Sequence, residues 1–354
     1  MIWLAWRQFR TQAVVAVVLL GALVATLLAT GPSLVHLFDS TVLTCKRLHD
    51  CQGAMRNFNG KDSLIRRVAN ALVIVTPALV GVFWGAPLVA RELETGTFRL
   101  SWTQSVMRSR WLLVKLGLVG AASMAAAGLV SLAVTWWSSP FDGLADMPFN
   151  AFDTRGIVPI GYAAFAFALG VTAGVVYRRT IPAMATTFFA FFAVRLAFSD
   201  LIRQRLLAPV RATAGFGFQL HSSSQSFERF GPPNPGDWLL TNQVVTGAGR
   251  AVALGTPELQ GFFFQPLRSG GVVLQGIGRC PNPFPGAFRA AGSPSPATLA
   301  AMRTCVASFH MHEVLTYQPP SRYWTLQALE LGIFLGLAAL LAAGGLWWVR
   351  RRLT

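Results

Sequence analysis

Six apolar runs punctuate the chain, near 13–32, 68–88, 114–137, 157–176, 181–199 and 325–348. About 20 consecutive apolar residues carry one helix across a bilayer, so the pattern predicts six membrane-spanning helices. Polar and charged positions gather between the runs. Two of the gaps are long, 33–66 and 200–322, and the second is large enough to fold by itself. The predicted fold class is an all-α polytopic membrane protein of six transmembrane helices. A small mixed domain lies outside the membrane between the last two. The expected division is a membrane domain over 1–199, an extracytoplasmic domain over 200–322, and a sixth helix with a basic tail over 323–354.

The start of the chain has its own pattern. Trp3, Trp6 and Phe9 recur every third residue, with Arg7, Gln8 and Arg10 between them. That spacing predicts a short helix over 2–12 lying in the headgroup layer with its apolar face down. The run that follows is expected to stay as a membrane helix. It is too long for a cleaved signal peptide, its start is aromatic as well as basic, and no small-residue cleavage site follows.

Basic flanks set the expected orientation. Placing the N-terminus in the cytoplasm puts Arg7, Arg10, Arg91, Arg99, Arg108, Arg110 and Lys115 inside, with Arg178, Arg179, Arg350, Arg351 and Arg352. The short outer loop at 138–156 then holds Arg155 against Asp142, Asp146 and Asp153. This is the positive-inside asymmetry, opposed only by Arg66 and Arg67 at the outer start of the second run. The expectation is a multi-pass protein of the cell membrane with both termini cytoplasmic.

Composition agrees with the pattern. Hydrophobic residues make up 53% of the chain and charged residues 12%, where a soluble domain carries about a quarter charged residues. The formal net charge is +16, which in a soluble protein would point to nucleic acid. Here it divides between inner-surface arginines facing anionic lipid headgroups and a basic outer region. No basic helix interleaved with aromatics stands outside the membrane, so nucleic acid is excluded as a partner.

All four cysteines fall on the outer side of this topology: Cys45 and Cys51 in the first long gap, Cys280 and Cys305 in the second. Four cysteines permit three pairings, and the local one, Cys45–Cys51 with Cys280–Cys305, is the simplest. A zinc site with His49, His310 and His312 is the rival reading, and it lacks a paired C-x-x-C spacing. Within the outer region Asp237 to Val252 reads as a small β-hairpin, Gly261 to Phe264 as a strand or an apolar patch, and 297–316 as a helix.

Intramembrane charges mark function by default. Two are predicted, Arg195 in the fifth run and Glu330 in the sixth, each a few residues from the outer end and so at similar depth. They are expected to pair, as an outer gate, a polar contact for substrate, or a static bridge between helices.

The most informative block is Ala90-Arg91-Glu92-Leu93-Glu94-Thr95-Gly96-Thr97-Phe98-Arg99-Leu100, running on to Arg108, Arg110, Trp111 and Lys115. It is a charged segment between two apolar runs, a cytoplasmic loop over about 89–113 suited to docking a soluble partner. The block resembles the loop between the second and third membrane helices of ABC-2-type exporter permeases. The start Trp6-Arg7-Gln8-Phe9-Arg10, the run Trp102-Thr103-Gln104-Ser105 through Arg108 to Lys115, and the end Gln327, Glu330, Trp347-Trp348-Val349-Arg350-Arg351-Arg352 are similar to the high-GC Gram-positive (actinobacterial) members. One departure is plain: many such permeases carry a proline before the Ser-Arg of this loop, where this chain has Gln104-Ser105-Val106-Met107-Arg108.

The resemblance implies a non-catalytic transport subunit that moves its substrate by alternating access. Its partners would be a cytoplasmic ABC ATPase, a second permease half (the same chain or a related one) and membrane lipids. Arg91, Glu92, Glu94, Gly96, Phe98, Arg108 and Arg110 would form the ATPase-docking loop. No cofactor is expected on this chain, since ATP and magnesium would sit on the partner. The residues agree: the three lysines, Lys46, Lys61 and Lys115, stand outside any G-x-x-x-x-G-K-[ST] phosphate loop. Enzymatic motifs such as H-E-x-x-H or G-x-S-x-G are also absent. Few polar residues within the spans favour an amphipathic, lipid-like or drug-like substrate, and the resemblance implies export as the direction. The alternative is a membrane-anchored sensor or resistance protein whose outer domain binds a ligand.

Overall fold

The computed structural model describes residues 2–48, 63–96, 108–145, 148–215, 226–227, 236–245, 262–266, 272–276 and 312–352, with isolated positions at 297, 300, 304 and 310. The chain divides into two compact units, one of Met1–Leu207 with Arg322–Thr354 and the other of Ala208–Ser321.

The first unit is helical. Its elements are α1 (Ile2–Leu48), α2 (Ser63–Val80), α3 (Ala86–Thr95), α4 (Arg108–Ala145), α5 (Val158–Tyr177), α6 (Thr180–Ala197) and α7 (Tyr323–Arg352). A π-helical turn, Gly81–Gly85, joins α2 to α3 into one continuous rod, and a second, Phe198–Ile202, prolongs α6 into the 3-10 turn Arg203–Arg205. Six of these helical segments are long and apolar enough to cross a membrane, as the six apolar runs predict.

Helix ends differ from the expected ones where loops were read too generously. The interfacial helix at 2–12 is the first part of α1, and α1 continues through Pro32 to Leu48, into the segment expected as outer loop 33–66. Its continuation, Ser33-Leu34-Val35-His36-Leu37-Phe38, keeps enough apolar character to stay helical past the proline. Likewise α4 runs on to Ala145, and the helical turns after α6 carry the chain to Arg205, beyond the boundary expected at 200.

α5 is the centre of this unit. Some 67% of its span is buried, against 6% for the span in α1. Two glycine pairs bring α5 against the α2–α3 rod: Gly81 and Gly85 on the rod, Gly170 and Gly174 on α5. A Cβ built on Gly85 would stand 2.6 Å from the Phe167 carbonyl oxygen, and one on Gly174 2.7 Å from that of Ala86. Only glycine permits backbones to approach so closely, as in small-residue packing between membrane helices generally. The π turn frees carbonyl groups from the ordinary helical ladder, and Gln12 Nε2 of α1 donates to one of them, Phe83 O, at 3.2 Å.

The second unit is built on strands. β1 (Val210–Gly215), β6 (His312–Gln318) and β3 (Trp238–Val245) form an antiparallel sheet in the order β1-β6-β3. β2 (Ser226–Phe227), β5 (Val272–Gly276) and β4 (Phe262–Pro266) form another in the order β2-β5-β4. Val210 pairs with Tyr317 and Gly215 with His312, while the β3 register shifts between Leu239 and Thr241, a bulge at Leu240. Two expectations are corrected here. The helix expected over 297–316 gives way at its end to β6, where burial at Glu313 and Leu315 alternates with more open neighbours, the period of a strand. Of the hairpin expected in 237–252, the described residues form one strand, β3, which pairs with β6 far along the chain, and 246–252 lie outside the described residues. The apolar stretch at 261–264 becomes β4.

Candidate functional site

Charged side chains gather at both ends of α5. Near its N-terminus the connector from α4 forms a 3-10 turn, Pro148–Thr154, followed by Gly156 at φ +72°. Gln327 of α7, fully buried, holds this corner. Its Oε1 accepts from the Ile157 and Val158 amides at 3.0 Å each, satisfying two of the unpaired donors that open α5. Its Nε2 donates to Phe152 O, Arg155 O and the Tyr323 hydroxyl at 3.0, 3.2 and 3.2 Å. A Cβ on Gly156 would come within 2.8 Å of Gln327 Oε1. Glycine is therefore required there by space as well as by its positive φ.

Next to this corner sits a network of five side chains from four elements. Arg203 is its hub. Its Nε and Nη2 donate to the two oxygens of Glu330 at 2.8 and 2.9 Å. Its Nη1 and Nη2 reach the Asp153 carboxylate, and Nη2 also donates to the Tyr162 hydroxyl at 3.0 Å. The Tyr162 hydroxyl in turn contacts Glu330 Oε1 and Asp153 Oδ1. Arg195 stands 3.8 Å from Asp153 Oδ1 and lies over the Tyr162 ring, 5.0 Å from its centroid. One guanidinium thus serves two carboxylates in the paired geometry that its fork of donors suits, and a second balances the charge.

Aromatic rings enclose the network. Phe334 packs edge-on against Tyr162 and Phe198, and Arg203 stacks over Phe152 at 4.5 Å. Glu330 has no exposed surface. Burial raises the cost of ionising Asp153, yet the Arg203 guanidinium, its hydrogen bond, and Arg195 together hold this carboxyl below the ordinary carboxylate range. Arg155, beside it, donates to Asn70 Oδ1 at 3.0 Å and to Thr154, which ties α2 to the same corner.

The structure therefore brings Arg195 and Glu330 into one cluster, as charges at similar depth. The ion pair it gives Glu330 is with Arg203, and the one it gives Arg195 is with Asp153. Asp153, Tyr162 and Arg203 escaped the sequence reading. Arg203 follows the last apolar residue of the fifth run and was assigned to the outer domain; the helical turns through Arg205 carry it back into the bundle.

At the other end of α5 lies the root of the predicted docking loop. Glu92 pairs with Lys115 of α4 at 2.6 Å, and both are largely buried. Lys115 also donates to Leu88 O at 3.4 Å and sits 4.7 Å over the Trp111 ring. Glu94 reaches α6: its Oε2 accepts from the Thr180 amide at 3.0 Å and the Thr180 hydroxyl at 2.8 Å. A carboxylate at this position caps the first turn of α6 and complements its dipole. Gly96 ends α3 at φ +74°, the left-handed cap that favours glycine. Arg91 and Arg110 are exposed, and Arg108 opens α4. Phe98 and the loop through Met107 lie outside the described residues, as do Cys51, Cys280, Cys305, His49 and the side chain of Cys45. Among the described residues no group of three or more potential metal ligands occurs.

Among the described residues, six helical segments long and apolar enough to cross a membrane, glycine-tight packing around a central helix and paired charges at its two ends make a polytopic helical protein. The chain belongs to the ABC-2 membrane transporter related family, whose model matches residues 16–203, more than half of it, and this places it among transporter permeases. That match covers the charged block 90–115, Asp153, Tyr162, Arg195 and Arg203, and stops short of the strand unit and α7. No curated protein and no solved structure matches the chain.

Proposed function

We propose that this permease is the membrane-spanning half of an ATP-driven exporter. It works by alternating access with a second permease half and is powered by an ABC ATPase on a separate chain. Its cargo is an amphipathic, lipid-like or drug-like molecule taken from the cytoplasm or inner leaflet, and both termini face the cytoplasm. The observation that carries this reading is the anchoring of the loop root. The segment 97–107 leaves α3 and returns into α4, and the residues flanking it are bonded to α4 through Glu92–Lys115 and to α6 through Glu94–Thr180. A push on that loop is therefore delivered to two further helices. Family membership and the lack of a phosphate-binding loop in the chain support the same reading.

Affinity purification of the full chain from its native membrane in mild detergent tests it. The expected result is a companion subunit that hydrolyses Mg-ATP and is lost when residues 97–107 are replaced by a Gly-Ser linker of equal length. A preparation accompanied by a kinase, or by nothing, with no ATP hydrolysis, would overturn the proposal.

A further inference from the structure

The Glu94 end of the helical unit is the meeting place of α3, α4, α5, α6 and α7. A shared apolar cluster that includes Val89, Trp111, Val175 and Val349 holds the ends of α3, α4, α5 and α7 side by side, and Ala183 of α6 packs with Ala86, Ala90 and Ala173. Six arginines are exposed there: Arg91, Arg110, Arg178, Arg179, Arg350 and Arg351. The carboxylates at this end, Glu92 and Glu94, are already engaged. Glu92 is largely buried in its pair with Lys115, and Glu94, itself exposed, accepts two hydrogen bonds from Thr180. No other Asp or Glu stands in 86–96, 108–118, 171–184 or 344–352. The sequence reading gave Glu92 and Glu94 the role of ATPase contacts; the structure uses both of them to fix the loop root.

We infer that the ATPase meets this end of the bundle through acidic side chains of its own, which engage the exposed arginines. The inference rests on the permease reading above. Charge complementarity carries it, because the exposed charge at this end is six arginines against the single carboxylate of Glu94, and arginine forks suit carboxylates in bidentate contact. Four of these arginines stand at helix ends: Arg178 and Arg179 form the two-residue turn between α5 and α6, with Arg178 in the left-handed region at φ +54°, and Arg350 and Arg351 close the last turn of α7.

The test uses the full chain purified with its ATPase from native membrane, washed at low and high salt. Three variants are compared: Arg178→Glu with Arg179→Glu, Arg350→Glu with Arg351→Glu, and Arg205→Glu, the same reversal at an exposed arginine beside the Tyr162 network. Gel filtration establishes that each is folded, and the milder Arg179→Gln with Arg350→Gln replaces any reversal that is not. Wild-type retention should fall with ionic strength, each reversal at the Glu94 end should cut it about tenfold or more, and Arg205→Glu should leave it within about twofold. Two results overturn the inference while leaving the permease reading intact. In one, the reversals at the Glu94 end keep the ATPase and lose only co-purifying anionic phospholipid. In the other, Arg205→Glu releases the ATPase as strongly as they do. A wild-type chain that brings down no ATPase overturns both.

Discussion

The two ends of α5 handle charge in opposite ways. At the Tyr162 end two guanidiniums and the Glu330 carboxylate are buried among aromatic rings, the partly exposed Asp153 joins them, and the four charges sum to zero. At the Glu94 end one carboxylate sits in a largely buried pair, the other, itself exposed, caps a helix, and six arginines are exposed. Charges taken out of water must find partners within the molecule, or the cost of desolvation is not recovered. Charges left in water cost little and stay available to another molecule. The first end thus has the character of a fastening between helices, and the second keeps most of its charge at the surface.

The sharpest way to break this comparison is to remove the hub. Arg203→Ala strands the fully buried Glu330, while Asp153, 31% exposed, keeps Arg195, and losing one partner of a buried pair costs about 3–5 kcal/mol. Thermal unfolding of the purified chain in detergent should show a large fall, and loss of soluble yield is an equivalent outcome. An unchanged midpoint would mean the network is not formed. Lys115→Met makes the matching cut at the other end. Glu92 retains some access to water, so the expected loss is smaller, about 1–3 kcal/mol. Equal losses at the two ends would erase the distinction drawn here.

The finest test is acid titration. The folded state holds Asp153 below its ordinary range, so its contribution is complete above that range and fades as pH falls through the lowered folded value. The unfolding midpoint of the wild type, compared with that of Asp153→Asn, should converge with it as pH drops below roughly 4. A difference that grows on acidification would reverse the sign and refute the assignment.

The fold of the helical unit was legible because apolar length is a direct signal: hydrocarbon accepts a backbone only when its own groups satisfy each other. Arg195 and Glu330 were legible for the same reason, as charges within otherwise apolar runs. Their partners were not. Asp153 sits in a polar connector and Arg203 just past an apolar run, where charges are ordinary, and only the fold buries Arg203 and brings the partly exposed Asp153 beside it. Glu94 was read correctly as lying at the loop root, but its bond to Thr180 spans 86 positions of sequence, and no local pattern announces it. The strands were the hardest part. β6 takes its partners from both ends of the second unit, so the helical reading of its neighbourhood had nothing nearby to contradict it.

The hub at Arg203 also fixes an order of assembly. Asp153 precedes it by 50 residues, whereas Glu330 follows it by 127. A ribosome adding about 5–20 residues per second makes Glu330 roughly 6–25 s after Arg203. During that interval the whole strand unit is synthesised, and Arg203 has a single acidic companion in the finished cluster, Asp153. Asp153 is thus the nascent chain's chaperone for a charge that would otherwise wait alone, and Glu330 completes the fastening only when the last helix arrives.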